Sequence, residues 1–177
     1  MFTHSKLDSG LSLITAPIEG SKTTTVLAMI ATGSKYETRE QSGLSHFLEH
    51  MFFKGTTKRP NAHAISSELD KIGAEFNAFT SKEYTGYYVK VASDNMDTAI
   101  DVVSDMLNNP LLDGEEIKRE SGVIVEEVNM YLDNPTWFIE DPLEDLLYGD
   151  TPAGWSSIRT KENIKPFNRE DLVNSYQ

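Results

Sequence analysis

An α+β fold, with a mixed and largely antiparallel sheet covered by helices, follows from three features of this 177-residue sequence. Short alternating or β-branched runs cluster before residue 33 and again between residues 74 and 92, where strands are expected. Amphipathic stretches bounded by capping residues separate these runs and follow them. No linker, repeat or low-complexity tract interrupts the chain, and its length suits one domain with a substantial core.

Taken in order, residues 2–7 and 11–18 flank the turn sequence Asp8-Ser9-Gly10 and read as a hairpin. Thr23 to Thr32 is apolar and β-branched enough for a buried strand, which Gly33-Ser34 ends. Ser42 is the expected N-cap of a helix reaching Phe53, and a basic loop follows through Pro60. Asn61 caps a helix to Ile72, which Gly73 stops. Two strands, 74–80 and 83–92, surround Ser81-Lys82. Asp94 is the expected cap of a helix to Asn108 whose apolar stripe is Met96, Ala99, Ile100, Val103 and Leu107. Asp113 caps a longer helix to about Leu132, Pro135 ends that pattern, and another helix covers Trp137 to Tyr148. Thr160 and Asn168 read as later caps. The final helix has barely begun at Gln177, so the chain reads as a piece of something longer.

Composition narrows the chemistry. The chain has no cysteine, so any metal must be held by His and carboxylate groups. A net charge of −12 argues against nucleic acid, which needs clustered Lys and Arg, and favours basic peptides through long-range attraction. No apolar run is long enough to span a membrane, and Met1-Phe2-Thr3-His4 lacks the charged and apolar regions of a signal peptide. A cytoplasmic, unanchored protein is expected.

The segment His46-Phe47-Leu48-Glu49-His50 carries the strongest functional signal. On a helix, Leu44, Phe47, Leu48, Met51 and Phe52 share one side, while His46, Glu49 and His50 gather on the other. Imidazoles four residues apart lie one turn above each other, so one divalent ion can bridge them. A carboxylate between them can reach a water on that ion, the inverted form of the zinc-protease motif. The lone His63 has no partner at metal spacing and reads as a surface or packing residue.

Two histidines leave a catalytic zinc site one protein ligand short. Glu120 and Glu127 lie two turns apart on one face of the helix after Asp113, whereas Glu126 points about 100° away from Glu127. Helical phase favours Glu127 as the ligand and Glu120 as a carboxylate supporting a ligand or the catalytic Glu49. The adjacent Glu126 remains an alternative ligand, and an ordinary exposed helix residue an alternative for Glu120.

The motif His46 to His50, the run Glu120-Ser121-Gly122-Val123-Ile124-Val125-Glu126-Glu127 and the intervening Gly73-Ala74-Glu75-Phe76-Asn77-Ala78-Phe79-Thr80 together resemble the pitrilysin family. That family includes insulin-degrading enzyme, the mitochondrial processing peptidases and small bacterial processing-peptidase-like proteases. The resemblance spans nearly the whole chain. It implies a LuxS/processing-peptidase-like α/β sandwich in which one zinc ion is held by His46, His50 and Glu127. Glu49 would be the general base and Glu120 an assisting carboxylate. Asn77 and Ala78 would lie on an edge strand to which an extended peptide adds, although Phe76 and Phe79 also suit a core strand.

Members of that family usually have a second, related domain that closes over the substrate. Residues 1–177 therefore read as a single N-terminal zinc-binding peptidase domain lacking its homologous partner, with little or no activity alone. In the full-length protein a homodimer or a two-domain clam-shell is implied, with peptides or unfolded proteins as substrates. The alternative is a non-catalytic homologous subunit, or a peptide-binding or assembly domain of the same fold. A mitochondrial matrix location, after removal of a targeting segment, is the alternative to the bacterial cytoplasm.

Overall fold

The computed structural model describes residues 1–156 and 167–176, so Thr160 lies outside the described residues. In chain order the elements are β1 (Thr3–Lys6), β2 (Ser12–Thr15), β3 (Thr23–Ile30), α1 (Leu44–Phe52), α2 (Ala62–Lys71), β4 (Glu75–Thr80), β5 (Thr85–Ala92), α3 (Met96–Asn108), α4 (Gly114–Leu132), α5 (Pro135–Phe138), α6 (Glu140–Tyr148) and α7 (Arg169–Tyr176). The architecture is α+β, built from small antiparallel sheets and helices.

Strand pairing among the described residues is antiparallel throughout and falls into two ladders, β1-β2 and β3-β5-β4. The first hairpin is exposed along its whole length, Leu13 and Ile14 included, and among the described residues its strands pair only with each other. In the three-stranded sheet β5 is central and sends Tyr87, Val89 and Val91 into the core. Pairing on both sides suits its β-branched and aromatic content. β4 is an outer strand, paired with β5 in a register that sets Thr80 opposite Thr85.

Helix α1 buries Leu44, Phe47, Leu48, Met51 and Phe52 and packs on α4, β4 and α7. Its start differs from the sequence expectation. The N-cap is Gly43 rather than Ser42, and with φ at 86° it occupies the left-handed region that favours glycine. Capping comes instead from Glu37, whose carboxylate accepts the N–H groups of Gly43 at 2.7 Å and Ser45 at 2.6 Å. A buried anion at a helix N-terminus also meets the positive end of the helix dipole.

The loop that follows α1 is equally constrained. Arg59, in the basic loop, is 5% exposed and forms ion pairs with Glu68, Asp101 and Asp105 at 2.7–2.8 Å. Thr56 donates to the same Asp105 at 2.5 Å. Here Gly55 has φ at 140°, and a Cβ on it would come within 2.9 Å of the Pro60 carbonyl oxygen. The N-terminal end of α1 is thus held by a carboxylate from the preceding turn, and the loop beyond its C-terminal end by ion pairs to α2 and α3.

Asn61, Asp113 and Asn168 cap their helices as expected, each accepting backbone N–H groups two or three residues on. Asp94 does not cap α3. It lies in a 3-10 turn, Ser93–Asn95, and α3 starts without a side-chain cap. The core face of α3 is Ala99, Val102, Val103 and Met106, whereas Met96 and Ile100 are exposed. Adjacent apolar residues satisfy two overlapping helical stripes, and packing selects one. Pro135 opens α5 behind the cap Asn134, consistent with the preference of proline for the first helical turn.

Replacing Glu37 by Ala strands two backbone donors at the start of α1 and is expected to destabilise the fold by about 1–3 kcal/mol. A urea-unfolding midpoint unchanged by Glu37→Ala would contradict this capping role.

Candidate metal centre

Helices α1 and α4 meet with their functional side chains facing one another. His46 Nε2 and His50 Nε2 are 3.2 Å apart, a spacing that follows from their positions one turn apart on α1. Glu127 on α4 completes the group, with Oε1 3.6 Å from His46 Nε2 and Oε2 3.2 Å from His50 Nε2. A tetrahedral ion with arms of about 2.0–2.1 Å has ligand atoms about 3.3–3.4 Å apart. The three separations lie close to that spacing, the two from Glu127 running to its different oxygens, and one donor atom from each residue falls within 4.8 Å of the others. Two imidazoles and one carboxylate are also a donor set that zinc accepts.

Glu120 sits on the buried stripe of α4, between Ile117 and Ile124, and is 3% exposed. It is not an ordinary solvent-facing helix residue. Its Oε1 accepts from His50 Nδ1 at 2.9 Å, and its Oε2 pairs with Lys54 Nζ at 2.7 Å. A carboxylate on Nδ1 fixes the proton there and leaves Nε2, the atom facing His46 and Glu127, free for metal. Glu126 is exposed and faces Asn129 Nδ2 at 3.3 Å, away from the group. In this arrangement Glu127, not Glu126, stands opposite the histidines.

Glu49 lies on the same turn of α1, and its Oε2 accepts the Thr80 hydroxyl at 2.5 Å. Asn77 is exposed on β4, and its Oδ1 accepts the Ala78 N–H at 2.9 Å. The Ala78 methyl faces the core, so only its backbone can meet a ligand. His63 is exposed and lies beside the Ser67 hydroxyl, remote from the histidine pair.

Two neighbours of the site carry little signal in the sequence. Lys54 follows His50 by four positions, a spacing that could have suggested a shared face. Thr80 reaches Glu49 across 31 positions, and nothing local marks that contact.

The imidazoles and carboxylates of this group shift one another's protonation. Burial opposes charge on His50, but hydrogen bonds to Glu120 and Glu127 outweigh it and push its pKa up to about 9. The imidazoles of His46 and His50 hold the Glu127 carboxyl well below the usual carboxylate range. Burial would raise Glu120, yet His50 and Lys54 bring it below its ordinary value. A proton on His50 occupies the place that a metal would take.

An α+β domain that presents an inverted His-Glu-His helix against a second, glutamate-bearing helix defines a class of candidate metallopeptidase domain. Residues 14–161 match the insulinase family, peptidase family M16, and the chain belongs to it. It is 45% identical over 143 residues to an uncharacterized zinc protease of Bacillus subtilis, covering 81% of this chain and 35% of the relative. It is 38% identical to a probable mitochondrial-processing peptidase subunit beta of Arabidopsis thaliana, covering 95% of this chain and 32% of that one. A protease from Helicobacter pylori has the same fold, with a TM-score of 0.92, 24% identity, and coverage of 99% of this chain and 42% of that one. The chain therefore spans well under half the length of these relatives.

The site predicts an acid limit and an alkaline limit for the metal-free protein. His50 keeps its proton in the fold up to about 9 but releases it near 6.5 when unfolded, so its contribution is full below 6.5 and lost as pH rises through 9. The depressed Glu127 and Glu120 contribute above their ordinary value of 4.5, and that contribution is lost on acidification. Unfolding midpoints in chelator should fall between pH about 6 and about 10 through the His50 contribution, and zinc binding should release protons over the same window. A midpoint flat across that window, or binding without proton release, would contradict this protonation scheme.

Proposed function

We propose that the chain carries the metal-binding centre of a zinc-dependent endopeptidase of the processing type, which hydrolyses peptide bonds in extended peptides. The triangle of His46, His50 and Glu127, with separations of 3.2–3.6 Å, is the observation that supports this reading. Relatives named as zinc proteases and processing peptidases support it further.

Zinc held by these three residues would polarise the scissile carbonyl and acidify a water beside it. The chain's own groups do the rest. His50 and Glu120 share the Nδ1 proton, which orients the imidazole and keeps its other nitrogen available. Glu49 takes the proton from the attacking water as its oxygen bonds to the carbonyl carbon, then delivers it to the amine nitrogen when the C–N bond breaks. The β4 edge, with Asn77 and the backbone of Ala78, would pair with the substrate as an added strand, a mode that demands little of its sequence. The chain's net charge of −12 would draw basic peptides towards it.

Among the described residues no helix is long and apolar enough to cross a membrane. A bacterial cytoplasmic enzyme is the reading adopted, with the mitochondrial matrix as the alternative. The full-length protein would act as a homodimer or as a two-domain clam-shell, and residues 1–177 alone would cleave weakly or not at all.

The test uses full-length protein and compares wild type with Glu49→Gln and Glu127→Gln. Glu49→Gln should retain zinc but lose about 10²–10⁴ in kcat, the range of a general base. Glu127→Gln should lose more zinc affinity than the ~10–100-fold that removing a supporting partner costs. Unchanged peptide cleavage by Glu49→Gln would remove the mechanism, and no cleavage by the zinc-loaded wild type would favour the non-catalytic alternative.

A further inference from the structure

Each metal-facing imidazole of α1 contacts Glu127, and His50 is further held by Glu120. Glu49 shares their helix face, yet among the described residues the Thr80 hydroxyl is its sole hydrogen-bond partner. A glutamate side chain has three rotatable bonds, and its terminal torsion is broad, so an unheld carboxylate samples many orientations. The efficiency of proton transfer depends on presenting one oxygen at hydrogen-bonding distance from the proton it takes.

We propose that Thr80 is a positioning residue for Glu49: its hydroxyl engages Oε2 and thereby fixes the orientation in which Oε1 is presented to the proton. This rests on the peptidase reading for its catalytic consequence. An ionised carboxylate only accepts hydrogen bonds, so the 2.5 Å contact makes Thr80 the donor and Oε2 the acceptor. No other donor reaches Oε1 among the described residues, which leaves it available.

Thr80 is itself well placed to hold a neighbour still. It ends β4 in register with Thr85, and its β-branched side chain has few rotamers to choose from. The Thr85 hydroxyl is 3.4 Å from Thr80 Oγ1 and 3.1 Å from the Thr32 carbonyl oxygen, and Thr85 is 1% exposed. A fixed hydroxyl therefore backs the one that contacts Glu49. Because Thr80 belongs to β4, the orientation of the base is coupled to the strand on which an extended peptide would lie. Displacement of that strand would move the hydroxyl that holds the base.

The experiment compares wild type, Thr80→Val and Thr80→Ser in the zinc-loaded, full-length protein. Valine keeps the branched shape without the hydroxyl, and serine keeps the hydroxyl without the branch. Crystal structures should show Glu49 in one rotamer in wild type and Thr80→Ser, but spread over several in Thr80→Val. Zinc content should be equal in all three. For a peptide substrate, Thr80→Val should lose about 10–100-fold in kcat with KM unchanged within about twofold, and Thr80→Ser should recover most of the loss. Glu49 equally ordered in Thr80→Val, or Thr80→Ser as slow as Thr80→Val, would overturn the proposal. If Glu49 order follows the hydroxyl while wild type cleaves no peptide, the positioning role stands and the peptidase reading fails.

Discussion

A carboxylate at 3% exposure on the apolar stripe of a helix can stay ionised only if its charge is met nearby, and Glu120 is met on both oxygens, by Lys54 and His50. That pairing fixes much else. It joins α4 to the C-terminal end of α1, and it settles which nitrogen of His50 carries the proton. With Glu120 held against His50, the residue two helical turns further along α4 is brought opposite both histidines. That residue is Glu127.

The remaining fold keeps α1 from moving relative to this pairing. Glu37 closes its N-terminal end, while Arg59 ties the loop beyond it to α2 and α3. The apolar side of α1 is buried against α4, β4 and α7, so the polar side is presented in one orientation. Rigid support on three sides is what a ligand set needs if it is to match a small ion without strain. The same packing places the end of β4 beside Glu49, bringing the outer strand of the described sheet and a carboxylate into one neighbourhood.

Much of this was legible because it is periodic. The spacing of His46 and His50, the apolar side of α1 and the shared phase of Glu120 and Glu127 all depend on 3.6 residues per turn, which a sequence displays directly. Caps formed by the residue next to a helix, such as Asn61 and Asp113, were legible for the same local reason. Contacts that depend on chain return were not. Glu37 reaches forward over a turn to do what Ser42 was expected to do, and Arg59 leaves an apparently basic loop to meet acids on two helices. Among the described residues β1 and β2 pair only with each other and leave Leu13 and Ile14 exposed, which alternation alone does not reveal. At α3 two apolar stripes overlap, and tertiary packing chose between them.

The central claim is that His46, His50 and Glu127 form one preorganised tetrahedral site. Anomalous scattering at the zinc edge from crystals of the zinc-loaded protein tests it most directly. A single strong peak at about 2.0–2.2 Å from His46 Nε2, His50 Nε2 and one oxygen of Glu127, with Glu120 still on His50 Nδ1, is the predicted result. A zinc peak coordinated through Glu126 or Glu120 in place of Glu127, or no peak between the two helices, would contradict it.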